Sequence, residues 1–284
     1  MAAAPDGLPP LREVIRTHGL DARPSLGQHF LFDLNLTRRI ARVAGDLTAG
    51  TTIEIGPGPG GLTRGLLMED AAHVVAVERD ARCRAALDAV ARAYPGRLTM
   101  VDADALDVAL AELGPTPRRL VANLPYNVGT QLLVNWLQAI ARDPTVVESL
   151  TLMFQREVAD RLMARPRTKA YGRLSVLTQW LCTVGRVLTV PREAFTPPPK
   201  VTSTVVHLTP RAEPTFPADA DALQAVTGAA FGQRRKMLRQ SLKRLTADPA
   251  SLCAAAGIDP TARADALAVA DFWALARAYA DGGR

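Results

Sequence analysis

Cysteine is scarce in this chain. There are three in 284 residues, Cys83, Cys182 and Cys253, an odd number set far apart with no CxxC spacing. That argues against a disulfide framework and a cysteine-based zinc site, and it suits a reducing cytoplasm. Histidine is nearly as rare: His18, His29, His73 and His207 recur at no ligand spacing with cysteine or carboxylates, so no metal is implied. No apolar run approaches the roughly 18 residues of a membrane-spanning helix. The opening MAAAPDGLPPLREV has no basic stretch followed by an apolar one, so no secretory signal is expected. Repeats and low-complexity tracts are absent too. With 48% hydrophobic and 22% charged residues, the chain is also outside the disordered class.

At roughly 150 residues per domain, this length suggests a main domain with a smaller partner. The formal charge is +6, a modest excess that matters only where the basic residues cluster. They do so twice. One cluster holds Arg156, Arg161, Arg165, Arg167, Lys169 and Arg173 against only Glu157 and Asp160. The other, Arg234, Arg235, Lys236, Arg239, Lys243 and Arg244, contains no acid. Most charge runs are solvated faces, but an uncompensated one suits contact with phosphates.

Short apolar runs at 51–55, 73–78, 98–102, 119–122 and 150–154 alternate with helix-compatible patterns at 62–68, 80–93, 130–141 and 157–163. That alternation is the signature of βαβ units and a doubly wound, mostly parallel sheet. Two further β-rich stretches, 183–190 and 201–208, flank the stiff connection PREAFTPPPK and predict an antiparallel pair closing the sheet. Beyond Pro210 strand signals vanish, and helical periodicity runs over 220–245 and 265–279. The expected division is therefore an α/β domain over 1–210 and a small helical domain over 211–284.

TTIEIGPGPGGLTRGLL reads as a buried strand, a turn with Gly56, Gly58, Gly60 and Gly61, and a helix start. Such a turn lets backbone approach a ligand at the carboxyl ends of the strands. Gly56, Gly58 and Gly61 satisfy GxGxxG, which keeps a dinucleotide-dependent oxidoreductase in play. Glu78 ends the next apolar run, where a carboxylate accepts from ribose hydroxyls. Asp104 follows the third strand, placed to accept from an adenine amino group. Three such features in one crevice favour S-adenosylmethionine, since a nicotinamide enzyme has less need of the third.

Asn123-Leu124-Pro125-Tyr126 directly follows the fourth strand on the same edge. The exocyclic amine of adenine is a poor nucleophile because its lone pair is delocalised. Two acceptors aimed at its N–H bonds, the Asn123 side-chain oxygen and the Leu124 carbonyl, would restore pyramidal character, with Pro125 fixing the turn. Tyr126 offers a face on which an extruded base stacks. No strong base is needed before transfer, so placement would carry most of the catalysis.

LGQHFL (26–31), EIGPGPGGLT (54–63), VERD at Glu78, DAL at Asp104, NLPYN from Asn123, AFTPPPKVTSTVV from Ala194 and FGQRRKMLRQSL from Phe231 together resemble the rRNA adenine N6,N6-dimethyltransferases over almost the whole chain. The likeness is strongest to the bacterial small-subunit branch, KsgA or RsmA. It implies a Rossmann-like class I methyltransferase that dimethylates two adjacent adenosines in the loop of the 3′-terminal hairpin of 16S rRNA. The resemblance also implies that His29, Leu31, Gly56, Gly58, Glu78, Asp104 and Asn123 line the S-adenosylmethionine site. Phe195 would sandwich the target base opposite Tyr126, and the basic clusters would grip RNA. One departure is His29, where the family usually has Asn; imidazole also donates a hydrogen bond.

Two other readings share these motifs: a large-subunit adenine methyltransferase of the macrolide-resistance type, and a non-catalytic RNA-binding assembly factor. AFTPPPKV and FGQRRKMLRQSL favour the small-subunit branch. The expected partner is the small ribosomal subunit or its precursor, met by a cytoplasmic monomer.

Overall fold

The computed structural model of the chain describes residues 5–20 and 28–282. Helix α1 (Leu11–His18) is closed by Gly19 in the left-handed region. Strand β1 (Phe30–Leu31) and helix α2 (Leu34–Val43) follow, α2 capped by the Asp33 carboxylate on the Asn35 N–H at 2.8 Å. The chain then alternates through β2 (Thr51–Ile55), α3 (Gly61–Met68), β3 (Val74–Glu78), α4 (Arg84–Ala93), β4 (Leu98–Asp102), β5 (Arg118–Asn123), α5 (Gly129–Arg142) and β6 (Ser149–Gln155). Next come α6 (Arg156–Leu162), α7 (Arg173–Leu181), β7 (Cys182–Val190), β8 (Phe195–Thr196) and β9 (Ser203–Pro210). The rest is helical: α8 (Ala220–Gly232), α9 (Leu238–Ser241), α10 (Pro249–Ala255) and α11 (Val269–Gly282).

The main sheet has the order β4-β3-β2-β5-β6-β9-β7. Its first five strands are parallel, and β9 runs antiparallel to β6 with Leu150 opposite Leu208. β2 is buried throughout, as a central strand covered on both faces must be. From β2 the chain steps outward to β3 and β4, then returns to β5 on the other side of β2. That reversal opens a crevice at the carboxyl ends of β2 and β5, the place where open α/β sheets bind ligands. A separate two-stranded ribbon pairs β1 with β8, Leu31 opposite Phe195.

Compactness divides the chain into two units. One comprises 1–139, 145–159 and 185–209, and the other comprises 140–144, 160–184 and 210–284. The first is built on Ile40, Leu62, Leu66, Val74, Val121 and Met153. It also buries an ion pair: Asp6 receives Arg64 Nε and Nη2, both at 2.6 Å, while Arg64 Nη1 donates to the Pro9 carbonyl at 2.8 Å. In the second unit Phe231 stacks on Phe272 with ring centroids 5.2 Å apart, and Tyr171 meets Phe231 edge-on.

Three helical expectations shift. The start of the helix expected at 80–93 is a 3-10 turn, Ala81–Cys83, because the Asp80 carboxylate is engaged by Arg82 and Gln28. The helix expected over 220–245 breaks at 233–237, where Leu238 and Arg239 donate their N–H groups to the carbonyls of Ala262 and Pro260. The last helix begins at Val269 rather than 265, its start set by Asp271 accepting from the Ala268 N–H at 2.7 Å. All three cysteines are buried and free, and burial pushes the Cys83 and Cys182 thiols up to about 12, which makes them inert. No helix among the described residues is long and apolar enough to cross a membrane.

Candidate active site

The turn between β2 and α3 depends on glycine at Gly58. Its φ is +55°, and a Cβ there would stand 2.9 Å from the Phe30 ring. The turn aims the Gly58 N–H at Glu78 Oε2, 3.0 Å away at the end of β3, while the Asp80 N–H holds Oε1 at 2.8 Å. Burial raises the Glu78 carboxyl above the ordinary glutamate range, and those two N–H groups pull it partly back. Asp104, just past β4, is oriented by the Leu106 N–H at 3.0 Å and by Arg79 at 2.6 Å, which together keep its pKa low. It is therefore an ionised acceptor.

Behind the turn lies Glu54, which is 1% exposed and has no partner for Oε2. Burial pushes its carboxyl up to about 8, so near neutrality it carries a proton.

Asn123 ends β5. Its Nδ2 donates to the His29 carbonyl at 2.9 Å, which leaves Oδ1 as a free acceptor beside the Leu124 backbone. The Tyr126 hydroxyl is tied to Ser203 Oγ at 2.5 Å, and burial raises its pKa. The His29 ring lies 5.0 Å from the Tyr126 ring, tilted by 36°, and its Nδ1 meets the Pro197 carbonyl at 2.8 Å. Its Nδ1–H is thus committed there and is not offered to the cofactor cleft.

These residues form one cleft of about 1020 Å³ including its open mouth, lined by His29, Leu31, Glu54, Gly56, Gly58, Glu78, Asp104, Asn123, Leu124 and Tyr126. Every expected cofactor residue is on it. Phe195 is not. At 1% exposure it packs in the core with Leu31, Leu188 and Val190, and it meets the His29 ring edge-on at 6.4 Å. The expected sandwich of Tyr126 and Phe195 is therefore not formed by the side chains. The pairing of β1 with β8 turns Phe195 inward and leaves His29 beside Tyr126. Leu26 and Gly27 of the LGQHFL motif lie outside the described residues.

Of the second basic cluster, Arg235, Lys236, Arg239, Lys243 and Arg244 are exposed. Arg234 is engaged within its own unit, donating to the Thr168 and Lys169 carbonyls at 2.8 and 2.7 Å and pairing with Asp265. Sequence reasoning missed Ser203, Pro197, Arg79 and Gln28, whose roles depend on tertiary placement. Among the described residues no group of three His, Cys, Asp or Glu side chains could hold a metal ion.

A profile of the ribosomal RNA adenine dimethylase family matches residues 19–281. The chain belongs to that family. It is 63% identical over 273 residues to a ribosomal RNA small subunit methyltransferase A of Rhodospirillum rubrum, covering 96% of this chain and 93% of that one. The namesake of Cereibacter sphaeroides is 59% identical over 278 residues, covering 98% and 99%. Among solved structures, a dimethyladenosine transferase from Plasmodium falciparum superposes with a TM-score of 0.73 at 24% identity, over 90% of this chain and 98% of that one. The 23S rRNA methyltransferase ErmE gives 0.62 at 30% identity, over 88% and 99%. The fold is that of a Rossmann-like class I methyltransferase with a helical C-terminal region, and the family is S-adenosylmethionine-dependent.

The cleft suits such a cofactor. Gly56 and Gly58 bring bare backbone to its wall, and the carboxylates of Glu78 and Asp104 line it as acceptors for ribose hydroxyls and an adenine amine.

Proposed function

We propose that this protein dimethylates the N6 amino groups of two adjacent adenosines in the loop of the 3′-terminal hairpin of 16S rRNA, with S-adenosylmethionine as methyl donor. The observation that carries the reading is the pair of acceptors at the end of β5, Asn123 Oδ1 and the Leu124 carbonyl, set in a cofactor cleft. The 63% identity to a small subunit methyltransferase A favours the small subunit over the large-subunit target named for ErmE.

Glu78 accepts from the ribose hydroxyls and Asp104 from the adenine amine of the cofactor, while His29, Leu31, Gly56, Gly58 and Asn123 shape the cleft around it. S-adenosylmethionine supplies a methyl group on a positively charged sulfur. Asn123 and Leu124 draw the two N–H bonds of the target amine out of the ring plane and free its lone pair. Tyr126, fixed through Ser203, presents the stacking face for the extruded base. Phe195 supports that site from the core.

The helical C-terminal domain, 211–284, would grip RNA phosphates through Arg235, Lys236, Arg239, Lys243 and Arg244, with Arg234 bracing them; 1–210 would carry the chemistry. The protein would act as a cytoplasmic monomer on the small ribosomal subunit or its precursor, without a metal ion.

The test is transfer of labelled methyl groups to small and large subunits lacking adenine dimethylation, followed by mapping of the modified bases. Dimethyladenosine confined to two adjacent positions near the 3′ end of 16S rRNA supports the reading. Label on the large subunit moves it to the other target, and label on neither leaves a binding role.

A further inference from the structure

We infer that Arg79 is a positioning residue for the base of the cofactor: by fixing the Asp104 carboxylate, it makes the cleft select a 6-amino purine over a 6-oxo purine. The inference deepens the function proposed above and rests on its placing of S-adenosylmethionine in this cleft. Glu78 of β3 is in register with Asp102 of β4, so Arg79 and Asp104 emerge just past the ends of two neighbouring strands. Arg79 Nη1 donates to Asp104 Oδ2 at 2.6 Å, and the Leu106 N–H donates to Oδ1 at 3.0 Å. Both residues line the cleft.

A carboxylate held at one oxygen can still turn, because the terminal torsion of an aspartate is broad. Held at both, its plane is fixed, and each oxygen keeps a further lone pair to offer. Such a group has acceptors and no donor. The exocyclic amine of adenine meets it with N–H donors, whereas the oxygen of a 6-oxo purine meets it with lone pairs and is repelled. Selection fails if the carboxylate swings aside, or if it takes up a proton, since a carboxylic acid can donate to a 6-oxo group. Arg79 opposes both. It pins Oδ2, and after the Leu106 N–H it is the main group holding the Asp104 carboxyl below the ordinary aspartate range.

Stability does not account for the pair. The Arg79 side chain is 49% exposed and that of Asp104 32%, and ion pairs so open to water add little to folding. The acids on either side of Arg79 are engaged elsewhere: Glu78 accepts from the N–H groups of Gly58 and Asp80, and Asp80 pairs with Arg82 and accepts from Gln28. Ribose and base are thus met by separate carboxylates, and only the second is held by Arg79. Two ligands that differ solely at position 6 of the purine isolate that dependence.

The experiment measures the affinity of the full-length protein, by calorimetry, for S-adenosylhomocysteine and for S-inosylhomocysteine, its 6-oxo counterpart. The proteins are wild type, R79M, R79K, D104N and the double variant R79M with D104N. Both ligands carry the same ribose and amino acid, so the ratio of their affinities reports the base alone. Wild type should prefer the adenosyl ligand about a hundredfold, the upper end for a hydrogen bond to a charged group. R79M should cut that preference about tenfold, the order of one charge-assisted hydrogen bond losing its orientation. R79K, whose ammonium can also donate to Oδ2, should keep the preference within about threefold of wild type. With D104N already present, R79M should change the ratio no further. The melting temperature of R79M should stay within about two degrees of wild type, as befits an exposed pair. An R79M ratio equal to that of wild type overturns the inference. So does an equal loss of affinity for both ligands, which would make Arg79 a general part of the cleft wall. A wild-type protein that binds neither ligand overturns the cofactor reading and this inference with it, a result distinct from the other two.

Discussion

The Asn123 side-chain amide is locked by the His29 carbonyl, 2.9 Å from Nδ2, so the oxygen of that amide is the end left facing the cleft. An amide rotated by half a turn would present two hydrogens to an amine that needs acceptors. The GQHFL segment therefore sets the polarity of the residue that activates the base.

Asn123→Ala should accordingly lower methyl transfer by about a hundred- to a thousandfold, the range for losing one oriented polar group at a reacting centre. RNA affinity measured by filter binding should stay within about twofold, since the substitution touches no group that grips phosphate. Retained transfer would refute the assignment.

Much of this was legible in the sequence. The five parallel strands fall within a residue of their expected bounds, because continuous apolar runs between helical patterns leave little choice of fold. Every expected cofactor residue lines one cleft, because each sits just after a strand and the carboxyl ends of parallel strands share an edge. What was not legible depends on long-range contacts. The β1 and β8 ribbon is two residues per strand, too short for any periodicity, yet it decides that Phe195 points into the core and His29 beside Tyr126. The break in the helix expected over 220–245 arises from backbone pairing with residues some twenty positions further on. Arg234 looks like its neighbours in sequence and differs only in having two carbonyls and Asp265 within reach.

Glu78 makes cofactor binding pH-dependent. Burial raises its carboxyl above the ordinary glutamate range, so the ionised form that ribose hydroxyls require is lost as pH falls through that raised value, nearer neutrality than for a solvated glutamate. Calorimetric affinity for S-adenosylmethionine should weaken as the pH is taken down from neutrality into the mildly acidic range. Glu78→Gln should bind about tenfold more weakly at neutrality, consistent with losing a hydrogen bond to a charged group, and should lose the pH dependence.

Glu54 should make stability pH-dependent. Its carboxyl sits at about 8 in the fold against an ordinary glutamate value of 4.5, so the fold favours the protonated form. The stabilisation that gives is fully present below the unfolded value and is lost as pH rises through the folded one. Glu54→Gln keeps a neutral polar group at the position whatever the pH. Its melting temperature relative to wild type should therefore rise on going from about pH 4 to about pH 8.5, a window that spans both values. A constant difference across that window would show that Glu54 is not buried as a neutral acid.

The pair between Asp6 and Arg64 offers a sharper test of the N-terminal segment. Both side chains are essentially inaccessible, and the guanidinium also holds the Pro9 carbonyl. Asp6→Ala strands a buried cation and should cost about 3 to 5 kcal/mol in urea denaturation. Replacing both residues together, Asp6→Leu with Arg64→Met, should cost markedly less, because the unpaired charge is then gone.

The basic C-terminal residues separate phosphate binding from bracing. Arg235, Lys236 and Lys243 are exposed, whereas Arg234 is spent on two backbone carbonyls and Asp265. Removing a cation that neutralises one phosphate lowers the slope of log affinity against log salt by somewhat less than one. The triple substitution Arg235→Ser, Lys236→Ser, Lys243→Ser should therefore flatten that slope by about two to three units while leaving the melting temperature within a degree or so. Arg234→Ala should do the reverse: the melting temperature should drop by several degrees, since two charge-assisted hydrogen bonds and an ion pair go with the guanidinium, and the salt slope should change little. If Arg234→Ala instead flattened the slope as much as its neighbours do, its guanidinium would have to leave Thr168 and Lys169 when RNA binds, and the bracing role would be wrong.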